Sequence, residues 1–98
     1  MKCAYCEKKF PETELELSHD IPRYIGGTDK DGRHYLCKPC HKDYDNFILM
    51  RCLKFIGEEF KEGERILWMI ELKKQSIILK KTFRLIALTV KEDFYGRH

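Results

Sequence analysis

The chain has 98 residues, enough for one domain with a modest core, and at 43% hydrophobic content it should fold rather than stay disordered. Its longest unbroken apolar run, Ile66 to Ile70, is far short of the ~20 residues a membrane helix needs, so no membrane partner is expected. The net charge of +3 is uneven: residues 1–18 sum to −1, 19–45 to zero and 46–98 to +4, which leaves a basic half suited to phosphates.

In chain order, Cys3 and Cys6 form a first Cys-x2-Cys knuckle within residues 1–10, and Pro11 to Glu14 reads as a connector or a single helical turn. Leu15 to Ile21 alternates apolar and polar residues, the period of a short half-buried strand, and Pro22 limits its extent. Gly26-Gly27 and Asp31-Gly32 are turn signals around a polar loop. His34 to Leu36 reads as a return strand into a second knuckle, Cys37 and Cys40. From His41 neither Gly nor Pro appears before Gly57, so a helix through Phe55 is expected, with Tyr44, Phe47, Ile48, Leu53 and Ile56 as its apolar positions. Gly57 and Gly63 bound or kink a linker, and Glu64 to Lys74 carries a helical apolar set with Trp68 placed in the core. Ser76 can cap a last helix with Ile78, Leu79, Phe83, Ile86 and Val90 inward; the β-branched content leaves a strand pair as the competing reading. His98 ends the chain and is expected to be disordered.

The fold class expected is α+β: a small module stapled at residues 1–45, and a helical extension at 46–98 packed on it within a single domain. The staple is chemical. Cys-x2-Cys lets two thiolates from one tight turn reach the same tetrahedral ion, and two knuckles complete a closed four-cysteine site for structural zinc. Two unrelated reduced pairs or a disulfide framework are the alternatives. Five cysteines, an odd number, suit four ligands plus one buried thiol at Cys52 better than they suit a secreted disulfide scaffold. No secretory leader opens the chain before the first knuckle, so an intracellular, cytoplasmic protein is expected.

Leu17-Ser18-His19-Asp20-Ile21-Pro22, then Gly26-Gly27, then Cys37-Lys38-Pro39-Cys40-His41 resembles the zinc-knuckle branch of the HNH endonucleases over about residues 3–45. The resemblance implies a ββα-metal module that cuts phosphodiester bonds in DNA. It implies that His19 is the general base and that His41, with Asp45 one helical turn on, holds a catalytic divalent ion such as Mg²⁺. The family places Asp or His immediately before the base, where this chain has Ser18. In an extended strand Ser18 and Asp20 share a face, so Asp20 is expected to supply the displaced carboxylate. The family's central Asn has no counterpart; its place falls within Asp31 to His34, where His34 either orients His19, contacts phosphate, or is only a polar strand residue. Arg23, Lys38 and Lys42 near the site, and Lys80, Lys81 and Arg84 in the acid-free stretch, are candidate phosphate contacts, with a solvated surface as the rival reading. A module that binds nucleic acid or a protein partner without cutting it is the alternative function, and a homodimer through the helical half would place two sites against opposite strands.

Overall fold

The computed structural model describes residues 1–57 and 61–96; residues 58–60 of the expected linker and the terminal His98 lie outside the described residues. The first knuckle is turned by backbone contacts. Lys2 bridges Lys9, the Cys3 amide donates to the Lys8 carbonyl at 3.0 Å, and Glu7 adopts a left-handed φ of 62° to turn the chain. A 3-10 turn at Glu12–Glu14 leads into β1, Leu15–His19, which pairs antiparallel with β2, Arg33–Cys37. The register sets Leu15 opposite Cys37, Ser18 opposite His34 and His19 opposite Arg33. Because side chains alternate and paired residues share a face, Glu16, Ser18, His34 and Leu36 lie on one side of the hairpin. His19, Arg33 and Tyr35 lie on the other.

Two further 3-10 turns, Arg23–Ile25 and Asp29–Asp31, occupy the loop between the strands. Thr28 and Asp31 cap the second turn reciprocally, as a capping box. Helix α1, Lys38–Ile56, starts before the expected His41, so the second knuckle is itself the helix's first turn. Pro39 is tolerated there because first-turn amides have no intrahelical acceptor. Its buried stripe runs through Cys40, Tyr44, Ile48, Leu49, Cys52 and Leu53 and lies against the hairpin and α3. Gly57 ends it with φ 73°.

The remaining described residues form α2, Glu62–Gln75, and α3, Ile77–Tyr95, so the Ser76 to Val90 stretch is helical and not a strand pair. The Ser76 hydroxyl accepts the Leu79 amide at 3.1 Å and caps α3. Phe83, Ala87, Val90 and Phe94 face inward, Leu79 and Ile86 are half-buried, and Ile78 is 77% exposed, one residue off the buried stripe. Trp68, expected in the core, is 47% exposed. The run Ile66 to Ile70 is apolar all round the helix, and only Met69 points into the core. α3 closes over the knuckle end: Phe94 stacks on Tyr5 with ring centroids 3.8 Å apart and meets Tyr44 edge-on at 4.9 Å.

Gly32 adopts φ 104° beside the buried Asp20, and a β-carbon there would collide with the Asp20 carboxylate and crowd the Lys91 ammonium. Gly32→Ala is therefore expected to cost roughly 2 kcal/mol or more, from the left-handed backbone plus the displaced ion pair, and to lower the melting temperature by about 8 °C or more. Thermal melts followed by circular dichroism check this; an unchanged melting temperature would show that the turn accommodates a side chain.

Candidate metal centres and active site

The two knuckles meet. The Sγ atoms of Cys3, Cys6, Cys37 and Cys40 all lie within 4.8 Å of one another, and those of Cys6 and Cys37 are 3.9 Å apart. Four ligands at a Zn–S distance of ≈ 2.3 Å stand about 3.8 Å from each other in a tetrahedron, so the cluster has the size to hold one zinc ion. All five cysteines are free thiols, which excludes the disulfide framework. Burial opposes ionisation of Cys3, yet backbone amides of Cys37, Cys6 and Tyr5 bring its thiol down to about 6. Cys40 is driven the other way, first by burial and then by the neighbouring sulfurs. Such a cluster accepts one negative charge readily and resists the next until a cation is shared. Cys52 is separate: it is fully buried on α1, with its thiol pushed up to about 12 by burial.

On the α1 side of the hairpin, His41 stands between two carboxylates. Its Nδ1–H donates to Glu16 Oε1 at 3.1 Å, and its Nε2 faces Asp45 Oδ2 at 3.4 Å. When both ring nitrogens carry protons, His41 is ion-paired with both carboxylates. When only Nδ1 does, the Nε2 lone pair faces another lone-pair donor, an arrangement that becomes favourable when both atoms bind one cation. The distance of 3.4 Å suits two neighbouring ligands on one ion, and a histidine whose other N–H is held by a carboxylate is the usual arrangement of a metal-binding imidazole. Burial raises the Asp45 carboxyl above its ordinary range, with the imidazole opposing and Glu16 adding. The three side chains line a shallow cleft of about 280 Å³, with Lys38, Lys42 and Ile66 at its rim. Sequence reasoning missed Glu16. Period-two alternation puts it on the same face as Ser18, the argument that singled out Asp20, so the signal was present.

Asp20 itself is placed elsewhere. Its side chain is 1% exposed; Oδ1 accepts the His34 Nδ1–H at 2.6 Å and Oδ2 meets the Lys91 ammonium at 3.1 Å. Lys91 already neutralises the carboxylate, so Asp20 does not join His41 and Asp45 as a ligand. His34 is thereby tied to Asp20, and its ring stacks on Tyr95 at 4.0 Å. It cannot orient His19, because the register puts the two on opposite faces of the hairpin.

The partner of His19 is instead Asp29, on the second loop turn. The ring Nε2–H donates to Asp29 Oδ1 at 2.8 Å, and Arg33 approaches the same carboxylate at 3.8 Å. The His19 side chain is 14% exposed, and the hydrogen bond holds the Asp29 carboxyl below its ordinary range. This bond fixes the proton on Nε2 and leaves the Nδ1 lone pair free. No periodic signal marks Asp29, which lies in a loop that the sequence marks only by the turn signals Gly26-Gly27 and Asp31-Gly32.

Among the candidate phosphate contacts, Lys38 and Lys42 flank the His41 cleft, Arg23 is exposed at the start of its 3-10 turn, and Lys80 and Lys81 are exposed on α3. Arg84 differs: both terminal guanidinium nitrogens, Nη1 and Nη2, donate to the Asp31 carboxylate. No helix among the described residues is long and apolar enough to cross a membrane.

Comparison with known proteins agrees with this geometry at the family level. No curated protein and no solved structure matches the chain. A family model described as HNH endonuclease matches residues 3–55, more than half of the chain. The chain belongs to the HNH endonuclease family.

Proposed function

We propose that this chain is a metal-dependent endonuclease that hydrolyses phosphodiester bonds in DNA. The observation that carries the reading is His41, held through Nδ1–H by Glu16 and paired through Nε2 with Asp45 beside a cleft rimmed by lysines. His41 and Asp45 would bind the catalytic divalent ion, and Glu16 would orient the imidazole. Such an ion, Mg²⁺ or another of its class, supplies charge neutralisation at the scissile phosphate and at the leaving 3′ oxygen. With only two protein ligands the site leaves room for phosphate oxygen and water, as a hard cation of this kind prefers.

His19 is the base in this reading. Its Nδ1 takes the proton of the attacking water while Asp29 keeps the other nitrogen protonated and steadies the imidazolium that forms. Glu16 and His19 are three residues apart, about 10 Å of strand, and lie on opposite faces of β1, so one bound backbone would have to cross the open edge of β1 to meet both. Lys38 and Lys42 would grip neighbouring phosphates, with Arg23, Lys80 and Lys81 as outlying contacts; Arg84 is withdrawn from that set because Asp31 engages it. Zinc at Cys3, Cys6, Cys37 and Cys40 would fix the strand–helix junction from which His41 projects. The helical extension completes one domain with the module, and its exposed face offers a surface for a second copy.

The test is nicking of supercoiled plasmid with Mg²⁺ or Mn²⁺. Glu16→Ala is expected to weaken divalent-metal affinity or activity about 10- to 100-fold while zinc stays bound. Full activity without any divalent ion, or a Glu16→Ala chain with unchanged metal dependence, would remove the reading. Tight DNA binding with no cleavage under any divalent ion would favour a non-cutting module.

A further inference from the structure

The second loop turn, Thr28 to Gly32, carries the partner of His19 and is also tied to α3. Both terminal guanidinium nitrogens of Arg84 donate to the Asp31 carboxylate, and Lys91 Nζ donates to the Asp31 carbonyl at 3.1 Å. The same ammonium meets buried Asp20 Oδ2 at 3.1 Å, and Tyr95 stacks on the His34 ring that holds Oδ1. Asp31 Oδ2 also accepts the Thr28 amide at 2.9 Å, so one carboxylate closes the turn internally and anchors it to a helix more than fifty residues away. Asp29 lies two residues before Asp31 within that turn. α3 lies outside residues 3–55, the part matched to the family.

We propose that α3 is a positioning strap for the general base: Arg84 and Lys91 hold the Thr28–Gly32 turn so that Asp29 stays hydrogen-bonded to His19. Arg84, Lys91 and Asp29 are positioning residues and touch no substrate. The catalytic consequence rests on His19 being the base, but the strap itself is a statement about one hydrogen bond and can be read without any cleavage. Without Arg84 the turn keeps its internal cap, the Lys91 bond to the Asp31 carbonyl and the Asp20 amide bond to the Gly32 carbonyl, but loses its two-point side-chain anchor, and the Asp29 carboxylate then spends more time out of reach of Nε2.

The experiment measures solvent exchange of the His19 Nε2 proton by NMR in the full, metal-loaded chain, with the resonance assigned through Asp29→Ala. Arg84→Gln is expected to keep the fold and to accelerate that exchange about five- to tenfold. Arg84→Lys should recover part of the protection. Lys91→Met strands the Asp20 carboxylate in the interior and risks unfolding, so Arg84→Gln, with its side chain 42% exposed in the wild type, is the deciding variant. In plasmid nicking the same variant should lower kcat and leave KM for DNA unchanged. Unaltered exchange in folded Arg84→Gln overturns the strap. So does a raised KM with a shallower salt dependence and intact kcat, the signature of a phosphate contact. If wild type cuts nothing, the nuclease reading fails and the exchange measurement alone decides the strap.

Discussion

Replacing Cys40 with serine is expected to cost the chain its zinc and, with it, the folded state of the amino-terminal half. Structural zinc contributes ≈ 10–16 kcal/mol of apparent binding free energy in small peptides, as much as or more than the 5–15 kcal/mol by which a typical domain is stable. The first ten residues have few substitutes for it. They are held by the Lys2–Lys9 bridge, by the Ala4 amide donating to the Tyr35 carbonyl at 2.9 Å, and by the Tyr5–Phe94 stack. Cys37 and Cys40 sit where β2 turns into α1, so the same loss frees the angle between hairpin and helix and scatters His41 from Glu16. The checks are metal content by mass spectrometry and thermal melting by circular dichroism, with Cys52→Ala as the comparison. Cys52 lies a full 12 residues along α1 from Cys40 and outside the four-sulfur cluster, so its replacement should retain zinc and cost only the packing of one small buried side chain. A Cys40→Ser chain that melts like wild type, or wild-type protein that folds without zinc, would contradict the assignment of the four thiols.

What could be read from the sequence follows how local each interaction is. The knuckles were legible because a tetrahedral ion demands four soft ligands, and two short turns supply them within fixed sequence spacing. β1 followed from apolar alternation, α1 from the run free of Gly and Pro after His41, and α3 from its apolar spacing and the cap at Ser76, where β-branched content had left a strand pair as the competing reading. Trp68 was misplaced for the same reason the helix was found: a fully apolar turn indicates a helix but does not say which side meets the core. The polar network was less legible. Asp20 was assigned to the metal by strand alternation, a correct statement about its face. Its partner, however, is Lys91, seventy-one residues on, and no local rule anticipates a charge arriving from another helix. Asp29 and His19 meet through a loop turn that Arg84 and Lys91 contact from α3, so the surroundings of His19 include contacts of high sequence separation. The family match through residue 55 likewise stops short of that helix.

His19→Ala is expected to lower kcat for DNA cleavage by roughly 10²- to 10⁴-fold, the range for loss of a positioned general base. The change should leave the fold, the zinc and divalent-metal binding in place. His19 is on the face of β1 away from α1 and bonds Asp29, so removing its ring breaks no contact of the four-cysteine cluster or of the Glu16–His41–Asp45 group. Asp29 then keeps Arg33 at 3.8 Å, which limits the cost of leaving its carboxylate without the imidazole. A kcat loss accompanied by equal loss of zinc or of the melting transition would mean that His19 serves the fold. Cleavage that survives the substitution would mean that the attacking water is deprotonated elsewhere, and the His19–Asp29 pair would have to be read as a structural tie. The informative variant between these is Asp29→Asn, whose amide oxygen can still accept the Nε2–H but carries no charge. If Asp29 acts only by fixing the tautomer and ring angle, Asp29→Asn retains most of the rate. If it also stabilises the imidazolium formed as the water is deprotonated, the rate falls with the charge even though the hydrogen bond persists. Comparing the two substitutions separates orientation from electrostatics at His19, whose partner Asp29 lies on a turn bonded to the helical extension.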